Sequence, residues 1–257
     1  MAENSDTSTV GRVAAVLRTL GEDDRNSELS GAEIARRVGR ERSQISRMLK
    51  ALAAHGLVEQ NPETRGYRLG WQLHVLAARA GDQRLVGSGT AVLRAVVAET
   101  GESALLSILQ GDQSFTILRE RSPHTVQAGG WVGRTSPLHV SASGRALILD
   151  HEDDDIRALL TREPPGTFGP KALRSVAEVI ERLHHERREG CTVAVDELEA
   201  GLLSVAAPVR DATGRIIAAL NVSGPTSRTA ERLGELSATA KVAARRLSTI
   251  LSRGPVL

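Results

Sequence analysis

Residues 30–70 read SGAEIARRVGRERSQISRMLKALAAHGLVEQNPETRGYRLG. Ser30-Gly31-Ala32-Glu33 predicts a capping box, with the Ser30 hydroxyl accepting from the amide of Glu33 and the Glu33 carboxylate reaching back. Ile34, Ala35 and Val38 follow as a buried stripe, and Gly39 ends this short helix. After a tight connection, Ile45, Met48, Leu49 and Leu52 recur at the spacing of one helix face, ending at Gly56. Residues 57–60 and 67–70 then flank the polar turn 61–66, a β-hairpin signature. Upstream, Val10, Val13, Ala14, Val16, Leu17 and Leu20 predict a further amphipathic helix over residues 9–20. Helix, short helix, tight turn, helix and hairpin is the order of a winged helix-turn-helix.

If Ile45, Met48, Leu49 and Leu52 face inward, the third helix turns Arg42, Ser43, Ser46, Arg47 and Lys50 outward, with Gln44 at its start. Such side chains reach phosphates or base edges in a major groove about 12 Å wide. Arg reads guanine bidentately, and Gln does the same to adenine. Charge supports this reading locally, not globally. The chain of 257 residues has 33 basic and 31 acidic side chains, too even a balance to mark the whole as a nucleic-acid binder. Only Lys50, Lys171 and Lys241 are lysines; the remaining cations are arginine. Between residues 31 and 70, however, eight cations (Arg36, Arg37, Arg40, Arg42, Arg47, Lys50, Arg65, Arg68) face four acids (Glu33, Glu41, Glu59, Glu63).

Residues 71–80 predict a connector helix, interrupted by Gly81-Asp82-Gln83. Beyond it, residues 90–99, 143–149, 173–189 and 229–251 read as helices, and 103–110, 114–120, 191–195, 202–209 and 216–222 as strands. That order predicts an α+β domain with a mostly antiparallel sheet. The expected organisation is therefore a DNA-reading domain over residues 1–70, a linker helix over 71–84 and a second domain over 85–257.

Composition narrows the function. A single cysteine, Cys191, excludes an internal disulfide framework and a multi-cysteine metal cluster and suits a small apolar role. Two Phe, one Tyr and two Trp make aromatic stacking on bases a poor mechanism. No apolar run approaches the roughly 18 residues of a membrane span, and the polar, acidic start does not read as a secretory signal, so a cytoplasmic protein is expected. No G-x-S-x-G, P-loop, G-x-G-x-x-G or H-E-x-x-H motif occurs, so no catalytic residue, metal or cofactor is expected. His151-Glu152-Asp153-Asp154-Asp155 reads as an acid-rich helix start, where carboxylates meet the positive end of the dipole. His184 and His185, beside Arg182, Glu186, Arg187 and Arg188, read as a solvated helix face.

The late strands hold polar groups in apolar surroundings. Alternation puts Leu202, Ser204 and Ala206 on one face of the first, and Ile217, Ala219 and Asn221 on one face of the next, with Ser223 in phase. Buried without partners, such groups cost about 1–3 kcal/mol each, so they are either satisfied within the fold or line a ligand site. The glycine-rich residues 129–133 and the run 137–145 offer backbone amides to an anionic ligand, the latter where it opens a helix.

Arg47-Met48-Leu49, Gly56-Leu57-Val58-Glu59, Pro137-Leu138-His139 with Ser143-Gly144-Arg145-Ala146-Leu147, Gly201-Leu202 with Ala206-Ala207-Pro208-Val209-Arg210-Asp211, and Val222-Ser223-Gly224-Pro225 occur in this order along the chain. In order and spacing the chain resembles the IclR-type transcriptional regulators along nearly its whole length. The resemblance implies an N-terminal DNA-reading domain that dimerises, a GAF-like C-terminal domain that binds a small metabolite, and dimers or tetramers on palindromic operators. Carried over, it implies an effector site of Ala142 and Ser143 at a helix opening, Leu202 and Ser204 on one strand, and Asn221 and Ser223 on another. Departures stand beside it: Cys191 and Ala194 replace a common Tyr and Asp, Ser204 stands where Cys is frequent, and Glu41 and Gln44 replace a usual Pro and Thr. Operator sequence and effector are therefore this chain's own.

The function expected is sequence-specific regulation, by default repression, with Arg42, Ser43, Gln44, Ser46 and Arg47 in the major groove and Lys50 and Arg65 on phosphates. Three other readings stay open: an activator of the same family, a constitutive DNA-binding protein whose second domain only oligomerises, and an enzyme with an accessory N-terminal module.

Overall fold

A computed structural model describes residues 8–22, 28–77, 82–127, 132–160 and 168–252. The chain forms two units, Met1–Gln83 and Arg84–Leu257.

In the first unit the apolar stripes found in the sequence close on one another. Helices α1 (Thr9–Glu22), α2 (Gly31–Val38) and α3 (Arg42–Ala54) bury Val16, Leu20, Ile34, Ile45, Leu49 and Leu52 in one cluster. The hairpin of β1 (Val58–Gln60) and β2 (Tyr67–Leu69) adds Val58 and Tyr67 to it. Tyr67 also bridges to Leu29, so the wing carries a third, one-residue strand. Ser30 caps α2 by accepting from the Glu33 amide at 3.1 Å. The reciprocal half of the expected capping box is replaced: the Glu33 carboxylate receives Arg36 at 2.6 Å and Arg37 at 2.8 Å, two charged donors that outcompete a neutral amide. Helix α4 (Trp71–Ala77) follows the wing; residues 78–80 of the expected connector helix lie outside the described residues.

The second unit is a six-stranded antiparallel sheet in the order β5-β4-β3-β8-β7-β6. Its strands are β3 (Ser103–Gln110), β4 (Gln113–Glu120), β5 (Thr135–Pro137), β6 (Thr192–Val195), β7 (Leu202–Arg210) and β8 (Ile216–Pro225). One face packs on α5 (Gln83–Thr100) and α10 (Leu233–Ser252), where Val92, Leu93, Val96, Leu236, Ala240 and Leu247 meet Leu106, Leu203, Val205, Leu220 and Val222. Cys191 belongs to this apolar cluster. The opposite face is covered by α6 (Ala142–Leu147), whose Ala142, Ala146 and Leu147 pack on Ala194, Ala206 and Ala219. Small residues on both sides let this helix lie close to the strands. Gly144 is required for it, because a Cβ there would come within 2.6 Å of the Leu138 carbonyl oxygen. Helices α7 (Asp153–Leu160) and α8 (Val176–Glu189) pack on each other through Ile156, Leu160, Val179 and Leu183. Asp153, Asp154 and Asp155 occupy the first turn of α7, as expected of an acid-rich helix start.

Two helices depart most from their expected extents. The helix expected over residues 90–99 starts at Gln83, because Gly89 does not break α5 but seats it: a Cβ there would lie 2.9 Å from Leu106. The helix expected over residues 229–251 is split into α9 (Thr226–Thr229), a 3₁₀ turn (Ala230–Arg232) and α10. Arg228 on Glu102 and Arg232 on the Thr100 carbonyl tie the first two pieces to the end of α5 and the start of β3, overriding a single straight helix.

Candidate nucleic-acid interface and effector site

Helix α3 presents the arrangement a groove reader needs. Ile45, Leu49 and Leu52 are buried, while Arg42, Ser43, Gln44, Ser46, Arg47 and Lys50 are all exposed. The eight cations of residues 31–70 separate into two sets. Arg36 and Arg37 pair with Glu33, and Arg68 pairs with Glu59 at 2.9 Å. Arg40, Arg42, Arg47, Lys50 and Arg65 enter no ion pair among the described residues. Positive charge is thus neutralised on α2 and the wing strands and left uncompensated on α3 and the wing tip. The guanidiniums of Arg36 and Arg37, donating to Glu33, hold its carboxyl at about 2.

Arg65 stands at the turn of the wing with φ +59°, a left-handed conformation unusual for a residue with a Cβ. The turn is tied down around it. The Arg65 amide donates to the Asn61 carbonyl at 2.9 Å, and Asn61 Oδ1 accepts from the Glu63 amide at 2.9 Å. Asn61 Nδ2 donates to Glu28 at 2.8 Å and the Thr64 hydroxyl donates to the same carboxylate. Those bonds, Thr64 first, hold the Glu28 carboxyl below its usual range.

Beneath α6, register brings the sequence-selected strand residues together. Ser204 pairs with Ser223 and Ala206 with Asn221, so the two serines and the asparagine share the face that α6 covers. Leu202, half-buried, pairs with Pro225 at the end of the same row. Thr192, opposite Ala206, donates its hydroxyl to the Ala142 carbonyl at 2.7 Å and fixes the start of α6 against the sheet. Ser143, in the first turn of α6, is buried, as are Ser204, Asn221 and Ser223. Ser223 donates to the Leu203 carbonyl at 3.4 Å. Asn221 is different: it is 5% exposed, yet its Oδ1 has no hydrogen-bond partner among the described residues. Of the glycine-rich stretch 129–133, residues 129–131 lie outside the described residues.

The sequence reading missed the charged centre of this unit. Arg145, on α6, is fully buried. It donates to Glu186 at 3.0 Å, to Glu197 at 2.6 Å, and to the carbonyls of His139 and Val193 at 2.8 and 2.5 Å. Burial pulls its pKa down, but the two carboxylates outweigh that and hold it above its ordinary value. Glu186 also accepts from the Val193 amide at 3.0 Å. The expected solvated face on α8 holds for His184, His185 and Arg188, which are exposed, but is corrected for two of its members: Glu186 is 3% exposed, and Arg187 donates to the carbonyls of Leu149 and His151. The signal was present, since Glu186 continues the inward stripe of Val179 and Leu183 at helical spacing.

Comparison with known proteins identifies the family. Residues 9–62 match the IclR helix-turn-helix domain, and residues 80–249 match the bacterial transcriptional regulator IclR C-terminal domain. The chain belongs to the IclR family of transcriptional regulators. It is 32% identical to the HTH-type transcriptional regulator BhcR of Paracoccus denitrificans over 87% of this chain and 81% of that one. With the HTH-type transcriptional repressor AllR of Escherichia coli it shares 26% identity over 93% of this chain and 89% of the relative. Its fold is that of an IclR homolog complexed with 4-hydroxybenzoate from Microbacterium hydrocarbonoxydans, at a TM-score of 0.74, 24% identity and coverage of 95% and 99%. The chain is accordingly a DNA-binding regulator with a C-terminal effector domain, not an enzyme. Among the described residues no helix is long and apolar enough to cross a membrane.

Proposed function

We propose that this chain is a transcriptional repressor released from, or fixed on, its operator by a small molecule held beneath α6. The observation that carries the effector reading is Asn221. A buried amide oxygen without a donor costs about 1–3 kcal/mol, and a ligand that donates to it removes that cost. Ala142, Ser143, Leu202, Ser204 and Ser223 complete the proposed site. Residues 1–70 read DNA, residues 71–84 connect, and residues 85–257 hold the ligand. On DNA, Arg42, Ser43, Gln44, Ser46 and Arg47 meet the major groove, and Lys50 and the wing-tip Arg65 take phosphates. Repression is supported by the relative named as a repressor, and by the fact that occupying promoter DNA needs no contact with polymerase. A dimer or tetramer is supported by exposed apolar side chains, Val10 on α1 and Trp71, Val75 and Leu76 on α4.

The test is fluorescence anisotropy of the purified protein on its own upstream DNA at fixed salt, against a scrambled duplex, with metabolites added. A coupling of about 1–3 kcal/mol shifts operator affinity roughly 5–150-fold. Specific binding that one metabolite changes on that scale is expected. Binding equal on both duplexes, or indifferent to every metabolite while thermal stability is equally unmoved, refutes the reading.

A further inference from the structure

We infer that Arg12 of α1 and Arg40 of the turn between α2 and α3 grip the DNA backbone on the side of α3 away from the wing. The inference rests on reading α3 as the helix that enters the major groove. A cleft of about 530 Å³ separates α1 from α3, lined by Arg12 on one wall and by Gln44 and Arg47 on the other, with Arg40 from the turn. The turn is short, and the Arg40 amide is fixed on the Ala35 carbonyl at 3.0 Å. Gln44 and Ala53 are about two and a half helical turns apart, so they stand on opposite sides of α3. Ala53 lines a hollow with the wing residues Val58, Asn61 and Arg68, whereas Gln44 lines the cleft toward α1. The exposed face with Ser43 and Arg47 therefore lies between the wing on one side and Arg12 with Arg40 on the other.

The two flanks differ in charge. Arg12, Arg40 and Arg47 line the α1 cleft with no carboxylate among its lining residues, while Glu28, Glu59 and Glu63 line the wing hollow, where Arg68 is already paired with Glu59. Like Arg40 and Arg47, Arg12 enters no ion pair among the described residues. Its Nη2 donates to the Thr9 hydroxyl at 2.9 Å, and its buried Nε has no acceptor among the described residues. Like charges around one cleft repel, and an anion between them removes that repulsion. Thr9, the first residue of α1, lines the same cleft, and no acid stands in the first turn of that helix. The positive end of the α1 dipole thus adds to the arginines, an arrangement that suits phosphate. Val13 and Leu52 make part of the lining apolar, which matches the deoxyribose joined to a backbone phosphate better than a freely hydrated ion. Phosphate is therefore held more firmly on the α1 flank than along the wing strands, where only the tip residue Arg65 is left for it.

The experiment titrates full-length protein onto its own upstream duplex and a scrambled duplex by anisotropy at several salt concentrations. The variants are Arg12→Met, Arg40→Met, their combination, and Arg12→Lys with Arg40→Lys; Met keeps the apolar stem and Lys keeps the charge. Arg36→Met, whose guanidinium is already paired with Glu33, is the control. Each Met variant should weaken both duplexes alike, roughly tenfold, and lower the slope of affinity against salt by about one. The combination should lower the slope by about two, while the Lys variant and Arg36→Met keep it. Melting curves are recorded alongside, and where Arg12→Met melts early, Arg40→Met and Arg12→Lys carry the comparison. A wild-type slope in the combined variant, or a loss confined to one duplex, overturns the inference. That result together with lost sequence preference in Arg47→Ala would leave α3 as the reader and remove only the flank contact. A slope that falls in the combined variant while Arg47→Ala keeps its preference would uphold the flank contact and sink the role given to Arg47.

Discussion

Glu186 of α8 receives Arg145 of α6 on both carboxylate oxygens and at the same time accepts the amide of Val193 from the edge strand β6. One buried side chain thus fastens the helix over the proposed ligand face to the last strand of the sheet. Removing one member leaves buried charge uncompensated, which costs about 3–5 kcal/mol. Arg145→Met should lower the stability of the C-terminal unit by that amount in urea unfolding. The exposed pair of Arg36 with Glu33 provides the contrast, since solvent screens it and Arg36→Ala should leave stability nearly unchanged. A loss under about 1 kcal/mol in Arg145→Met would mean the network adds little to the fold.

On DNA, Arg47→Ala should reduce specific operator binding by about 1–3 kcal/mol and relax preference at one base position. Lys50→Ala should instead weaken binding evenly on all sequences and lower the slope of affinity against salt by about one. Anisotropy titrations at several salt concentrations separate the two. Exchanged behaviour would exchange the assigned roles.

At the wing, Arg65→Gly separates conformation from charge. Glycine accepts φ +59° without the steric cost of a Cβ, so the N-terminal unit should melt no lower than wild type. Its affinity for operator and non-operator DNA should both fall, because a phosphate contact is gone. Unchanged affinity would remove Arg65 from the interface.

Asp211, between β7 and β8, has its carboxyl held at about 2, first by the Thr213 hydroxyl and then by the amides of Thr213 and Arg215. Because the native value lies below the ordinary 3.8, the charged form favours the fold. Its contribution is complete above 3.8 and is lost as pH falls toward 2. The carboxyl remains partly open to solvent, so the effect on stability is small. A carbon-detected titration should place the Asp211 midpoint near that value, and in Thr213→Ala it should move upward. A normal midpoint in the wild type would show that the turn does not hold the carboxylate.

Cys191 is 5% exposed, and burial pushes its thiol above the ordinary range. Thiolate is the reactive form, so the native protein should resist iodoacetamide at neutral pH and be alkylated once unfolded in urea. Rapid alkylation without denaturant would contradict the packing around β6.

What the sequence made legible was local and periodic. The stripe of Ile45, Leu49 and Leu52 specifies both the buried and the exposed face of α3, and the turn at Asn61–Pro62 separates strands of opposite direction. Strand alternation likewise put Ser204, Asn221 and Ser223 on one side, because a period of two leaves no other choice. What stayed hidden depended on partners distant in sequence. Gly87 and Gly89 obscured the first turns of α5, although Gly89 is there to admit Leu106. The three-residue β5, with Pro137 at the sheet edge, is too short to carry a pattern. Glu186 passed for a surface acid until Arg145 was found beside it, 41 residues away.

The bonds to Val193 also decide how copies of this unit can meet. The outer rim of β6 would otherwise offer its amide and carbonyl to any extended chain, and exposed sheet rims invite runaway strand addition. Here that amide is taken by Glu186 and that carbonyl by Arg145, while the Asp196 and Glu197 carbonyls just beyond accept the amides of Lys171 and Gly169. A second molecule could extend the sheet at this rim only by first stripping a buried arginine of its partners. Self-association of this regulator is thereby steered away from strand pairing at β6 and toward its other surfaces.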